Sequence, residues 1–314
     1  MHTKLNDEYG QSFNSYLKYG LGGLDSKERR SMTAGSATNG GALVSESFED
    51  VIMSAIEGAN PMRRFCNVIK SPTKVKLPYS TDNQAVELVA EEGAFSAVQP
   101  TSTFFETVGF KIGCRVDASV EMVQDYPDLE NYIAQSAALQ LGLKESDYIW
   151  YGTGSGQPKG ITAETVANTH TASNVHLKEL MYAIEQNGFQ DYNIPSECVA
   201  FINNKSLPKS FTTSTSFDEI VFQNASGREG IDAYFAYVPL VATTGLKPSG
   251  TTDNFWASYG NWRRAFCITD IGDIVIKRDS ESQAANGLVN FYVWKRFDCK
   301  LINAAAITLN KKSA

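Results

Sequence analysis

Two periodicities alternate along this chain. Leu129, Ile133, Ala137, Leu141 and Tyr148 recur at helical spacing, while Glu130, Gln140, Lys144 and Asp147 fall off that stripe. The spacing predicts a helix over about 126 to 151, close to 37 Å long. Asp125 is its expected N-cap, Pro127 suits a first turn, and Asp128 and Glu130 put negative charge on the positive end of the dipole. The helix should run straight into a glycine-rich loop, GTGSGQPKG, from Gly152 to Gly160. A shorter helix is predicted from Ser47 to Glu57, with Phe48, Ile52 and Ile56 on one face and Gly58 with Pro61 ending it. Tyr9, Phe13 and Leu17 mark another near the N-terminus, stopped by Gly20, Gly22 and Gly23.

Elsewhere the period is two. Val75 and Leu77 alternate with Lys74 and Lys76, and Val108, Phe110, Ile112, Cys114 and Val116 alternate with Thr107, Lys111, Arg115 and Asp117. These read as the two long strands of a hairpin whose tip, AVELVAEEGAFSAVQPTS, is far longer than a tight turn needs. Further strands are expected at about 264 to 278 and 288 to 301, the second with Val289, Phe291, Val293, Phe297, Cys299 and Leu301 on one face. Between 162 and 252 a helix at Leu177 to Gln186, a buried strand at Cys198 to Ile202 and a short helical piece at Ser206 to Phe211 suggest a compact α/β subdomain. A two-stranded ribbon is marginal in water, and a lone short helix cannot bury its own apolar face. Both therefore call for a partner, and residues 1–44 read as an arm that packs on a neighbouring subunit.

Charge and chemistry narrow the function. The net charge is -7, and basic residues come as isolated pairs rather than a stripe, so no nucleic-acid footprint is visible. The five cysteines (Cys66, Cys114, Cys198, Cys267, Cys299) are scattered and read as reduced core residues, without metal-ligand spacing. No run approaches the length of a membrane span. The loop GTGSGQPKG follows a helix instead of preceding one, and Lys159 is followed by Gly160, so it reads as a helix exit and not as a phosphate loop. Ser155 lacks the preceding strand of a nucleophile elbow, and His170 and His176 with Glu164 and Glu179 lack a catalytic context. No catalytic residue, cofactor or metal is assigned.

The long helix with its glycine loop resembles the spine helix and following loop of tailed-phage major capsid proteins with the Hong Kong 97 fold. GGALVSESFEDVIMSAIEGANPMRRFCNVI (residues 40 to 69) is similar to that family's entry from arm to core, and the blocks between 257 and 309 are similar to its closing strands. The resemblance implies an α+β Hong Kong 97-like chain: an N-terminal arm (1–44), a peripheral domain (45–161) with an extended loop at about 70–110 and the spine helix, an axial domain (162–255), and closing strands (256–314) that return to it. It implies a major capsid protein whose pentamers and hexamers form an icosahedral virion shell around double-stranded DNA, assembled in the host cytoplasm. Scaffolding, portal and decoration proteins are the further partners it implies. The resemblance also implies an N-terminal scaffolding segment, expected either to be removed by a protease or to be a separate protein. Its lysine–asparagine crosslink is not expected, because no lysine lies between Lys76 and Lys111.

The predicted contact surface follows from charge. Glu87, Glu91 and Glu92 crowd the ribbon tip without a basic residue nearby, so the tip is expected to rest on a basic patch of the next subunit, with Phe95 as its apolar anchor. The basic pairs Arg63-Arg64, Arg263-Arg264 and Lys295-Arg296 are the candidate patches, and Gly154 and Lys159 of the glycine loop are further candidate contacts. Two other readings stand beside this one: an encapsulin-like compartment that packages an enzyme, and a soluble α+β enzyme, disfavoured for want of a catalytic constellation.

Overall fold

The computed structural model describes residues 2–29, 42–43, 46–79, 103–126, 129–166, 168–172, 179–180, 197–206, 222–224, 231–235, 238–248 and 254–313. Its helices are α1 (His2–Tyr19), α2 (Glu46–Ala59), α3 (Met62–Phe65), α4 (Val120–Asp125), α5 (Leu129–Tyr151) and α6 (Trp262–Ala265). One six-stranded sheet combines β1 (Ala42–Leu43), β2 (Asn67–Ser71), β5 (Phe110–Ser119), β12 (Phe266–Ile271), β13 (Val275–Asp279) and β14 (Leu288–Leu301). A separate two-stranded ribbon pairs β3 (Lys76–Tyr79) with β4 (Thr103–Glu106). The second sheet has seven strands: β6 (Asn168–Ala172), β7 (Val199–Asn203), β8 (Phe222–Asn224), β9 (Ala233–Phe235), β10 (Val238–Thr243), β11 (Phe255–Gly260) and β15 (Ile307–Lys312).

Strand β14 organises the first sheet. Its alternation places Val289, Phe291, Val293 and Phe297 in the core, which is what a strand with one covered face requires. Along one edge it pairs with the whole of β5; along the other it pairs with β13 and then β12, laid end to end. The corner between those two carries Gly272 at φ 71°, a conformation open to glycine and strained for other residues. Helices α1, α2 and α5 cover the apolar face, with Phe13, Leu17, Ile52, Ile56, Ile133 and Ala137 all fully buried against it. The two sheets meet at Trp150, Phe201 and Trp262, whose rings contact edge-on at 5.2 to 6.0 Å, and the Trp262 Nε1–H donates to the Val199 carbonyl at 2.9 Å.

Several sequence expectations change. The ribbon's return strand is β4, not the alternating run from Val108 to Val116; Gly109, at φ 76°, breaks the chain there, and the run becomes β5, an edge of the main sheet. The strand expected over 264 to 278 is α6, β12 and β13 in succession, because Asn261 caps a helical turn (its side chain accepts from the Arg264 N–H) and Gly272 turns the corner. Asp125 closes the short helix α4, which Ser119 caps, and does not open the long one. The N-terminal helix is also no arm in want of a neighbour. Phe13 and Leu17 are fully buried and Tyr16 nearly so within the same chain, and the Arg278 guanidinium closes the helix by donating to the carbonyls of Leu17 and Lys18. The helix at 177 to 186 and the piece at 206 to 211 lie largely outside the described residues.

Candidate inter-subunit surface

Each residue predicted to meet a neighbour is decided first by exposure. Arg63 and Lys295 are only 4 % and 3 % exposed, so neither can receive a neighbour's ribbon. They belong instead to a buried cluster of four charges. Arg63 on α3 holds Glu145 of α5 (Nε to Oε1, 2.5 Å) and, through a two-pronged contact of 2.7 Å on each oxygen, Asp270 of β12. Lys295 of β14 pairs with Glu145 and lies 3.3 Å from Asp270, while Asn60 donates to Glu145 at 3.0 Å. Burial works to raise the Glu145 and Asp270 carboxyls, but Lys295 and Arg63 outweigh it, holding Glu145 low and Asp270 at about 2. The cluster was invisible in the sequence because Glu145 sits among the polar residues of a helix, and only tertiary contact shows that it points inward.

The other members of the basic pairs are at the surface. Arg64, Arg263, Arg264 and Arg296 are exposed, and Arg264 lies 3.7 Å from Glu197. Lys159 is engaged at 2.7 Å by Glu164, which also takes Lys300 at 2.7 Å, and Gly154 stands exposed at φ 80° beside it. The ribbon tip with Glu87, Glu91, Glu92 and Phe95 lies outside the described residues. Its base is described: Phe104 is 65 % exposed and sits opposite Pro78, and Val108 is 51 % exposed where the ribbon joins the sheet. Nε2 of His170, on β6, lies 2.9 Å from the Glu179 carboxylate, which accepts.

A patch that sequence reasoning missed lies on the uncovered face of the first sheet. Register places Tyr292 between Arg115 and Lys277, Trp294 between Gly113 and Val275, and Arg296 directly opposite Lys111. Side chains directly opposite in a ladder share a face, so four cations surround two aromatics. Lys111 stacks over the Trp294 ring at 4.2 Å, and Gly113 leaves the space, since a Cβ there would stand 2.9 Å from Trp294 Cβ. Asp117 offsets Arg115 at 2.8 Å and Asp279, in the next row of the same face, bears on Lys277, while Lys111 and Arg296 stand directly opposite each other. Like charges directly opposite are destabilising, so this face gains from an anionic partner. The signal was present as Tyr292, Trp294 and Arg296 at alternate positions, but their pairing with Lys277, Arg115 and Lys111 appears only in the sheet.

The comparisons with known proteins agree with this architecture. Residues 40–311 match the phage capsid family. The fold is similar to the "Capsid of empty GTA particle computed with C5 symmetry" (19 % identity, TM-score 0.62, 81 % of this chain and 89 % of that one). It is similar to a chain of Microbacterium phage Oxtober96 (12 %, 0.58, 91 % and 99 %) and to a virus-like particle from Pyrococcus furiosus (12 %, 0.54, 85 % and 98 %). No curated protein matches in sequence. The chain belongs to the phage capsid family: it is a major capsid protein with the Hong Kong 97-like fold, a structural protein of the virion.

Proposed function

We propose that copies of this chain assemble, as pentamers and hexamers, into an icosahedral head that encloses a phage double-stranded DNA genome, and that assembly takes place in the host cytoplasm. The ribbon of one copy reaches the uncovered sheet face of the next. The observation that carries this reading is the row of Lys111, Arg115, Lys277 and Arg296, offset only in part by Asp117 and Asp279, and matched in charge by a ribbon segment that holds Asp82, Glu87, Glu91 and Glu92 and no basic residue. Phe104, exposed at the ribbon base, supplies an apolar contact along the way. The enclosed DNA is confined, not gripped, in keeping with a net charge of -7. Electron microscopy of the purified protein tests the reading: closed shells containing nucleic acid support it, and a soluble particle of fixed small size under all salts and concentrations counts against it.

The likeness to a virus-like particle favours one second reading, a shell that packages protein. The contents of purified particles separate the two, as do the scaffolding, portal and decoration proteins that a phage head would co-purify with.

A further inference from the structure

The long helix α5 has an apolar stripe that turns inward, but it carries apolar residues on its outward face as well. Its inward face mixes small residues such as Ala134, Ala137 and Gly142 with the bulkier Ile133, Leu141 and Trp150, and its outward face carries Tyr132, Leu139 and Leu143, which are 39 %, 51 % and 37 % exposed. Where both faces are apolar, burial alone discriminates weakly between neighbouring rotations and registers. Gly142 fixes α5 against α2, because a Cβ there would stand 2.7 Å from Ala59 Cβ, and Trp150 ties the C-terminal end of α5 to Phe201 and Trp262, so the joint still to be set is the one between α5 and the first sheet. The four buried charges span that remaining joint. Arg63 and Glu145 come from the helical layer, Asp270 and Lys295 from the sheet, so each layer supplies one cation and one anion. The pairing is crossed: Arg63 with Asp270 and Lys295 with Glu145 run between layers.

We propose that this crossed quartet sets the register of α5 on the sheet, with Glu145 as the positioning residue, and so fixes which side of α5 the molecule presents. A slide of one helical turn moves a side chain by about 5.4 Å, beyond ion-pair reach, and breaks both cross-layer pairs, leaving each layer's buried cation only the anion of its own layer, Arg63 with Glu145 and Lys295 with Asp270. Replacing a whole pair by neutral groups removes that penalty, so it should loosen the register while leaving an apolar core intact. A buried ion pair is weak evidence for stability, because replacing it whole by apolar groups is often neutral.

Cys114 of β5 provides a reporter, since its Sγ lies 3.9 Å from the Ala137 carbonyl and the other four cysteines are buried. Oxidative crosslinking to Cys114 is measured with Ala137→Cys, for the native seat, and with Ala134→Cys, for a helix displaced by three residues. In the otherwise unaltered chain only Ala137→Cys should crosslink. Adding Glu145→Gln with Lys295→Met, which keeps the Arg63–Asp270 pair, should raise the Ala134→Cys yield at least about tenfold, with cooperative unfolding retained. Unchanged yields at both positions in that folded variant would overturn the proposal. The complementary variant, Arg63→Met with Asp270→Asn, guards against a folding failure peculiar to one pair. Loss of cooperative folding in both variants would also overturn it, because the pairs would then carry stability and not register.

Discussion

At the residue scale, charge and close approach dominate. Arg63→Met strands the Asp270 and Glu145 carboxylates with Lys295 alone, and breaking a buried network in this way costs about 3–5 kcal/mol; a fall in the denaturation midpoint of that size checks it. The sign of the acid response follows from Asp270. Its pKa is depressed from 3.8 to about 2, so its stabilisation is fully present above 3.8 and is lost as pH falls from there through about 2. Stability measured across that window should decline less steeply in Asp270→Asn than in the unaltered chain. Gly245 makes a different prediction. A Cβ there would collide with Ser146 Oγ and Trp150 Cδ1, so Gly245→Ala should cost about 1–3 kcal/mol by forcing the second sheet off the end of α5. None of these residues announces itself in the sequence: Arg63 and Lys295 look like surface charges because each has an arginine neighbour that is one, and Gly245 looks like any loop glycine.

At the element scale, periodicity was the legible part. The helices at 46–59 and 129–151 and the strand at 288–301 lie where the 3.6 and 2.0 patterns place them, and Lys111, Arg115 and Asp117 alternate outward as expected. What periodicity could not tell was pairing. An alternating run after a ribbon reads as its return strand, and only Gly109 and the ten-residue register with β14 show that β5 belongs to the sheet. The same limit applies to α1, whose apolar face needed a partner that turned out to be its own chain. Phe13→Ala should therefore destabilise the unassembled subunit by about 3–5 kcal/mol, the usual cost of emptying a fully buried phenylalanine site. An unchanged unfolding midpoint in dissociated subunits, with weakened shells, would restore the arm to a neighbouring copy.

For the whole molecule, the covered face of the first sheet is spent on the helical layer, and the uncovered face is left positive and aromatic. If the ribbon docks on that face as proposed, assembly should depend on its exposed charges, whereas folding depends on the buried ones. Arg115→Glu together with Lys277→Glu changes two exposed residues beside Tyr292, and loss of the exposed Arg115–Asp117 pair should cost the subunit only about 1 kcal/mol of unfolding free energy. Assembly should suffer, since each rim pair is worth only about 0.2–1 kcal/mol but the contact recurs in every subunit. Raising the salt should mimic the variant by screening over a Debye length of about 8 Å at physiological ionic strength and less above it. Because the held ribbon has no lysine between Lys76 and Lys111, the contact should be non-covalent, and boiled particles should run as single chains of 34.4 kDa. A ladder of multimers that survives reducing agent, or shells of the double variant forming at unaltered yield and salt dependence, would move the ribbon's anchor from charge to covalent or apolar contact, with Phe104 the first residue to replace.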